Sequence, residues 1–422
     1  MIDPPLHRPL ALRAFVLRAV GISTLALVAV AGLTAASGAG SAVLPALVSG
    51  GSAAAQCAAL PSTMTAVLTT GSSPAGATSG EWNLRLRDDV PVPCPGPGQV
   101  LVKVLTAGVN PVDWKLEGEW IPGYVRGVAP DPAANPALRL DDPATGLDFA
   151  GTVAAVGAGC EAYGLAVGTE VWGESTRGYM GPWIGSPSIT ELPGFMYAQY
   201  GLAACDAIGV RSAGSPLPLR EYAALPVPAG TAFDALRTSG APWAAADNVT
   251  VAVASGAGGT GIMMIQLAKA LGAARVVTAA SPRNHDLLRS LGADVVLDYH
   301  EAELWEGMPE NSVDHAIDNF GDPGTADRAM RIIKPGGTFL IMPAFKGESY
   351  TDTPKPGVTQ LPYLGWTATR DDSDVLSGLV DAGKLRPIIY RSMPLADVAD
   401  AFDISVEGRL TGKILLDVPQ PA

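Results

Sequence analysis

The chain has 422 residues, 48% hydrophobic and 16% charged, which is enough to bury a large core in two or three domains and too apolar for a disordered chain. A formal net charge of −13 excludes a nucleic-acid-binding surface, because phosphate backbones are held by clustered Lys and Arg. The four cysteines, Cys57, Cys94, Cys160 and Cys205, lie far apart without a C-x-x-C pair, which reads as free thiols rather than a disulfide framework or a zinc ribbon.

No charged residue occurs between Arg18 and Glu81. Arg8, Arg13 and Arg18 precede an apolar run at 25–33, and small residues follow at 49–56. A basic start, an apolar middle and a small-residue exit mark a targeting leader. Residues 1–63 are therefore expected to be a leader, removed or disordered, that directs the chain to an organelle (plastid or mitochondrion) or to the endomembrane system. A membrane span over 19–36 is the competing reading.

A folded domain is expected from Met64, where MTAVLTTG reads as an opening strand. VLVKVLTAGV (100–109), DFAGTVAAVG (148–157) and TEVWG (169–173), bounded by Gly, Pro or Asp, predict a β-rich domain over 64–222 that curls into a barrel or sandwich. Within it, 174–222 reads as a surface excursion rich in Gly, Pro and Ser. The texture then changes to strand and helix in alternation. VTVAVAS (249–255), a helix from Thr260, ARVVTAAS (274–281), a helix through Leu291, ADVVLDY (293–299), VDHAIDNF (313–320), a helix to Ile333, the turn KPGG (334–337) and TFLIMP (338–343) follow one another. Near-continuous apolar strands of this kind belong to parallel sheet covered on both faces. Residues 223–388 are thus predicted to form a doubly wound Rossmann domain, and the chain as a whole is α/β.

The turn SGAGGTG (255–261) sits between a predicted strand and a predicted helix, where a dinucleotide-binding motif needs it. Gly256 is expected to permit the tight turn, Gly258 to let backbone amides approach the pyrophosphate, and Gly261 to allow close helix packing. Gly259 and Thr260, in the same turn, count with them as cofactor-binding residues. An NAD site would place an acidic residue at the end of the second strand. This chain has Ser281, followed by Pro282 and Arg283. A hydroxyl and a guanidinium suit a 2′-phosphate, so NADP(H) is the expected cofactor. Ser281 and Pro282 also look like N-cap and N1 of a helix, and a solvated surface role for Arg283 stays open.

Eight segments in order, GVNPVDWK (108–115), GLDFAGTVAAVG (146–157), EYAALPVPAGTAFDAL (221–236), SGAGGTG, SLGADVVLDY (290–299), KPGG, GKLRPIIY (383–390) and GKILL (412–416), resemble the medium-chain dehydrogenase/reductases, in the zinc-independent branch of quinone oxidoreductases and enoyl reductases. The resemblance implies a GroES-like catalytic domain completed by the chain's end (389–419), with the cofactor in the cleft between it and the Rossmann domain. It implies hydride transfer to a small quinone or enone. By position it implies cofactor contacts at Thr231, Tyr299, Asn319, Phe320 and Lys413, and places Asn110 beside nicotinamide and substrate.

Departures from the family pattern are equally informative. The only histidines are His7, His285, His300 and His315, so the first domain has none with which to hold a catalytic zinc, and no metal site is expected. The tyrosine proton donor of some enoyl reductases has no counterpart after Gly118, and Tyr124 is the nearest substitute. Asn110-Pro111-Val112-Asp113 also has the form of a helix start, with Asp113 accepting from backbone. Lys115 reads equally as a contact for an anionic substrate and as an exposed helix lysine. A homodimer and membrane association through the leader are left open.

Overall fold

The computed structural model describes residues 52–69, 81–117, 146–175, 196–342, 350–361, 363 and 368–421. Tyr124 and the leader as far as residue 51 lie outside them. Among the described residues no helix is long and apolar enough to cross a membrane.

Helix α1 (Ala53–Ala58) precedes an antiparallel pair, β1 (Thr63–Thr69) and β2 (Leu84–Pro91). Next come β3 (Gln99–Val109), α2 (Pro111–Glu117), β4 (Asp148–Val156), β5 (Glu170–Glu174), β6 (Tyr200–Ala204) and β7 (Gly209–Val210). Helix α3 (Pro226–Thr238) leads into the second half. There the strands are β8 (Thr250–Val253), β9 (Arg275–Ala279), β10 (Val295–Leu297), β11 (Val313–Asp318), β12 (Ile333–Ile341) and β13 (Thr359–Leu361). The helices among them are α4 (Gly259–Ala270), α5 (His285–Ser290), α6 (Leu304–Gly307) and α7 (Thr325–Ala329). Helix α8 (Arg370–Asp381), β14 (Ile389–Pro394), α9 (Val398–Val406) and β15 (Lys413–Asp417) close the chain.

The first sheet runs β14-β15-β3-β4-β5-β7, with β6 also on β3, so the chain's end returns to complete the first domain. Strand β3 carries the long alternating run of the sequence, and two register shifts against β4 bend it as bulges do. Tyr197, Phe149 and Phe402 fill the interior. The second sheet runs β10-β9-β8-β11-β12-β13, parallel throughout. This is the doubly wound order, with its crevice between β8 and β11 where the connections change direction. All four residues of β8 are buried, as both-face coverage requires. Buried residues of α3, α4, α8 and β8 share one core with Trp172 and Leu415 of the first sheet, so the two halves pack through α3. Mid-helix Gln266 is buried in this core, and its amide bonds Ile262 O, Arg386 O and Arg386 N, leaving no polar atom unpaired.

Four sequence readings differ from the structure. The cysteines are paired, Cys57 with Cys94 and Cys160 with Cys205, at Cα separations of 5.8 and 5.5 Å. Wide sequence spacing hid this, because the sheets bring the halves of each pair together. Folded structure starts before Met64: α1 is tied by Cys57 to the loop before β3, and Gln56 Oε1 accepts from Val156 N at 2.7 Å. The expected excursion at 174–222 contains β6 and β7, and Met196, Tyr197 and Ala198 are fully buried. Finally, KPGG is a bulge inside β12 rather than a turn before it: Val313 pairs with Ile333, but His315 with Thr338. Gly336 takes a φ of 90° there, which a residue with a Cβ rarely adopts.

Candidate active site

The glycine turn joins β8 to α4 at the sheet's switch point. Gly256 is not in the left-handed region, which corrects the tight-turn reading. What it needs is room, since a Cβ there would lie 2.6 Å from Thr278 Oγ1 and 2.9 Å from Leu288 Cδ1. A Cβ on Gly261 would overlap Ser255 O, which is the close helix-on-strand packing the motif requires. Gly258 is the opposite case: a Cβ there meets nothing within 4 Å. Gly258 is also the N-cap of α4, with no side-chain cap; the Gly259 N–H is turned to Gly412 by the parallel bridge between Gly258 and Gly412, and the first-turn N–H groups at Thr260 and Gly261 remain available to an anion. The residues present therefore fit a dinucleotide pyrophosphate.

Asn319 holds this turn rather than facing outward. Its Nδ2 donates to Ser255 O and its Oδ1 accepts from Ser255 N, both at 2.9 Å, so both ends of the amide are committed. Phe320 beside it is exposed, with its N–H on Asp318 Oδ1. Thr231 lies half-buried on α3, its carbonyl accepting from Tyr363 Oη at 3.2 Å.

At the end of β9, Ser281 sits at the N-cap position of a short 3-10 turn (Pro282–Asn284) but does not cap it. Its Oγ instead lies 2.9 Å from Tyr299 Oη, and the Tyr299 ring stacks on His300 at 4.2 Å. Arg283 donates from Nη2 to Arg409 O at 2.7 Å. A cleft of about 380 Å³ opens here between the halves, lined by Arg283, Asn284, Tyr390, Glu407, Arg409 and Thr411.

Under the turn lies a buried polar cluster. Asn110 ends β3, and its N–H donates to Asp113 Oδ2 at 2.7 Å, while Tyr197 Oη donates to the same oxygen at 2.9 Å. That is the helix start seen in the sequence, and it makes Asp113 a backbone anchor for α2. Trp114 adds a second anchor by donating from Nε1 to Ser405 Oγ on α9. Lys115 places Nζ 5.5 Å from the centre of the Trp114 ring.

Lys413 points inward, which corrects its solvated alternative. It is 4% exposed, and Nζ donates to Val109 O at 2.7 Å, Asn110 Oδ1 at 2.5 Å and Asp148 Oδ2 at 3.3 Å. Asp148 is fully buried, and its other oxygen accepts from Val227 N at the start of α3. Burial pushes the Asp113 carboxyl up to about 7, and the backbone bond from Asn110 opposes it. Burial also raises Asp148 and lowers Lys413, each shift opposed by the charge of the other. Asn110 Nδ2 makes no hydrogen bond, although the amide lies near enough to Asp148 to favour its ionised form. The amide nitrogen thus faces the Asp148 carboxylate from beyond hydrogen-bond distance, with no accessible surface of its own. Asp148 was missed in the sequence; its one signal was a lone carboxylate in the apolar run GLDFAG.

Two family models match the chain: the alcohol dehydrogenase GroES-like domain over residues 96–207 and zinc-binding dehydrogenase over 291–416. Two curated relatives are each 29% identical over 79% of this chain and 75% of their own: the 2-methylene-furan-3-one reductase of Solanum lycopersicum and the chloroplastic NADPH-dependent alkenal/one oxidoreductase of Arabidopsis thaliana. The solved quinone oxidoreductase of Coxiella burnetii superposes with a TM-score of 0.63 at 26% identity, over 85% of this chain and 100% of that one. With a GroES-like sheet completed by its own last strand, a glycine turn at the Rossmann switch point and these likenesses, the chain belongs to the medium-chain dehydrogenase/reductase family of oxidoreductases, among its quinone oxidoreductase-like and enoyl reductase-like members.

Proposed function

We propose that the chain is an NADPH-dependent reductase that delivers hydride to a small quinone or to the C=C bond of an α,β-unsaturated carbonyl, and that it works without zinc. The observation that carries this reading is the uncapped, open glycine turn at the switch point of the parallel sheet. When bound, the reduced nicotinamide supplies the hydride. The first-turn N–H groups of α4 hold the pyrophosphate. Ser281, Tyr299 and Arg283 take the 2′-phosphate, and Thr231 and Phe320 border the nicotinamide half. Solvent supplies the proton.

The ligand set supports chemistry without zinc. All four cysteines are in disulfides, and the described residues contain no group of three His, Cys, Asp or Glu able to hold a metal. The test is NADPH oxidation by the purified protein with a panel of enones and quinones. NADPH binding without acceptor-dependent oxidation would instead make this a cofactor-binding redox sensor. About one zinc per chain, with activity lost to a chelator, would overturn the metal-free reading.

We infer further that the chain folds in an oxidising compartment, because structural disulfides persist there and not in reducing cytosol. Of plastid, mitochondrion and endomembrane system, this favours the last. Thiol alkylation and mass spectrometry of protein from its native source checks it, and four free thiols would refute it.

A further inference from the structure

The hydroxyl pair at the end of β9 has a support of its own. Ser281 occupies the position where a doubly wound fold discriminates at the ribose 2′-group, and Tyr299 Oη lies 2.9 Å from its Oγ. The bond between the two hydroxyls uses one of their two protons, which leaves the other for a ligand oxygen. Tyr299 follows β10 and is 53% exposed, so burial does not fix its ring. His300 does. The two rings stack with centres 4.2 Å apart and planes 27° from parallel. One oxygen in turn holds His300 at two points: Asp298 Oδ1 accepts its backbone N–H at 3.0 Å and lies 2.6 Å from Nδ1. The backbone bond first, then the ring bond, holds the Asp298 carboxyl below the usual carboxylate range. An ionised carboxylate can only accept, so Nδ1 carries the proton. The Asp298 carbonyl also accepts from Glu301 N and Ala302 N, which closes the turn on itself. Asp298, His300, Tyr299 and Ser281 thus form a chain in which each member orients the next.

We propose that Asp298 and His300 are positioning residues for cofactor choice: they buttress the Tyr299 ring so that its hydroxyl and that of Ser281 stand ready as a donor pair for the 2′-phosphate of NADPH. The cofactor then meets a side chain that is already ordered. An unsupported tyrosine at this exposure would have to be ordered on binding, which lowers affinity. Only NADPH carries the 2′-phosphate, so the buttress acts on NADPH far more than on NADH. The proposal rests on the NADPH reading above.

The test measures dissociation constants of NADPH and NADH, and of the fragments 2′,5′-ADP and AMP, none of which requires turnover. Tyr299→Phe removes the hydroxyl and should weaken NADPH about ten- to a hundredfold, the loss of one hydrogen bond to a charged group. His300→Ala and Asp298→Ala should each weaken NADPH about three- to tenfold, the effect of ordering one side chain on binding, with NADH within about twofold of wild type. His300→Phe keeps a ring to stack on and should restore most of the affinity. In a Tyr299→Phe background neither alanine change should weaken NADPH further. Asp298→Ala separates support from charge: a carboxylate beside a phosphate repels it, so charge alone would make this variant bind NADPH more tightly. Tighter binding, a loss shared equally by NADH, or losses that add to that of Tyr299→Phe would overturn the proposal. A wild type that binds 2′,5′-ADP no better than AMP would defeat the NADPH reading itself, and the buttress with it.

Discussion

Gly258→Val separates ligand binding from folding more cleanly than any other change in the turn. Gly258 has φ −72° and ψ 167°, extended backbone open to a β-branched residue, and a Cβ there finds no protein atom within 4 Å. With no clash to add, the change in stability is limited to the poorer N-cap that Val makes, about 1 kcal/mol. The same side chain projects over the uncapped first turn of α4, where the pyrophosphate is proposed to lie. Charge-assisted hydrogen bonds contribute about 1.5–3 kcal/mol each. Losing one or two therefore weakens the cofactor by roughly a factor of ten to twenty thousand, equally for NADPH and NADH, because the obstruction precedes any contact with the 2′-phosphate. Thermal unfolding without ligand and dissociation constants for both nucleotides are the assays. Gly261→Ala is the contrasting control: its Cβ would overlap Ser255 O, so it should lose stability first. A Gly258→Val protein that binds either nucleotide like the wild type would refute the placement of the pyrophosphate, and one that unfolds would refute the open-space argument.

Arg283→Ala should lower NADPH affinity about ten- to a hundredfold while leaving NADH almost unchanged, since only the 2′-phosphate distinguishes them; titrations of both nucleotides decide it, and a loss common to both would mean that Arg283 supports the cleft through Arg409 O instead. Asp113, held at about 7 mainly by burial, binds its proton more tightly folded than unfolded. Its contribution to stability is therefore full below about pH 4 and is lost as pH rises through about 7; Asp113→Asn should flatten denaturant-derived stability across that window. Reduction should open Cys57–Cys94 first, because Cys94 is exposed whereas Cys160 and Cys205 are buried. A crosslink spanning 37 residues contributes about 3–4 kcal/mol in the chain-entropy account, so mild reductant should lower Tm with Cys160–Cys205 still intact by mass spectrometry.

The α/β class, the parallel second sheet and the position of the glycine turn follow from the sequence alone, because each is written in local pattern. Buried strands read as apolar runs, and GAGGTG carries its backbone needs in residues that are neighbours in the chain. The helix start at Asn110 was visible for the same reason, since a cap acts within three or four residues. The cysteine pairs, the buried β6 and the Lys413–Asn110–Asp148 cluster were decided only by tertiary structure. Lys413 stands 303 residues from Asn110 and 265 from Asp148, and a lysine near the chain's end looks solvated until β15 is laid beside β3. Burial then reverses its chemistry: with no water to hold its charge, the ammonium must find acceptors inside, and the three it finds are what set the direction of the Asn110 amide.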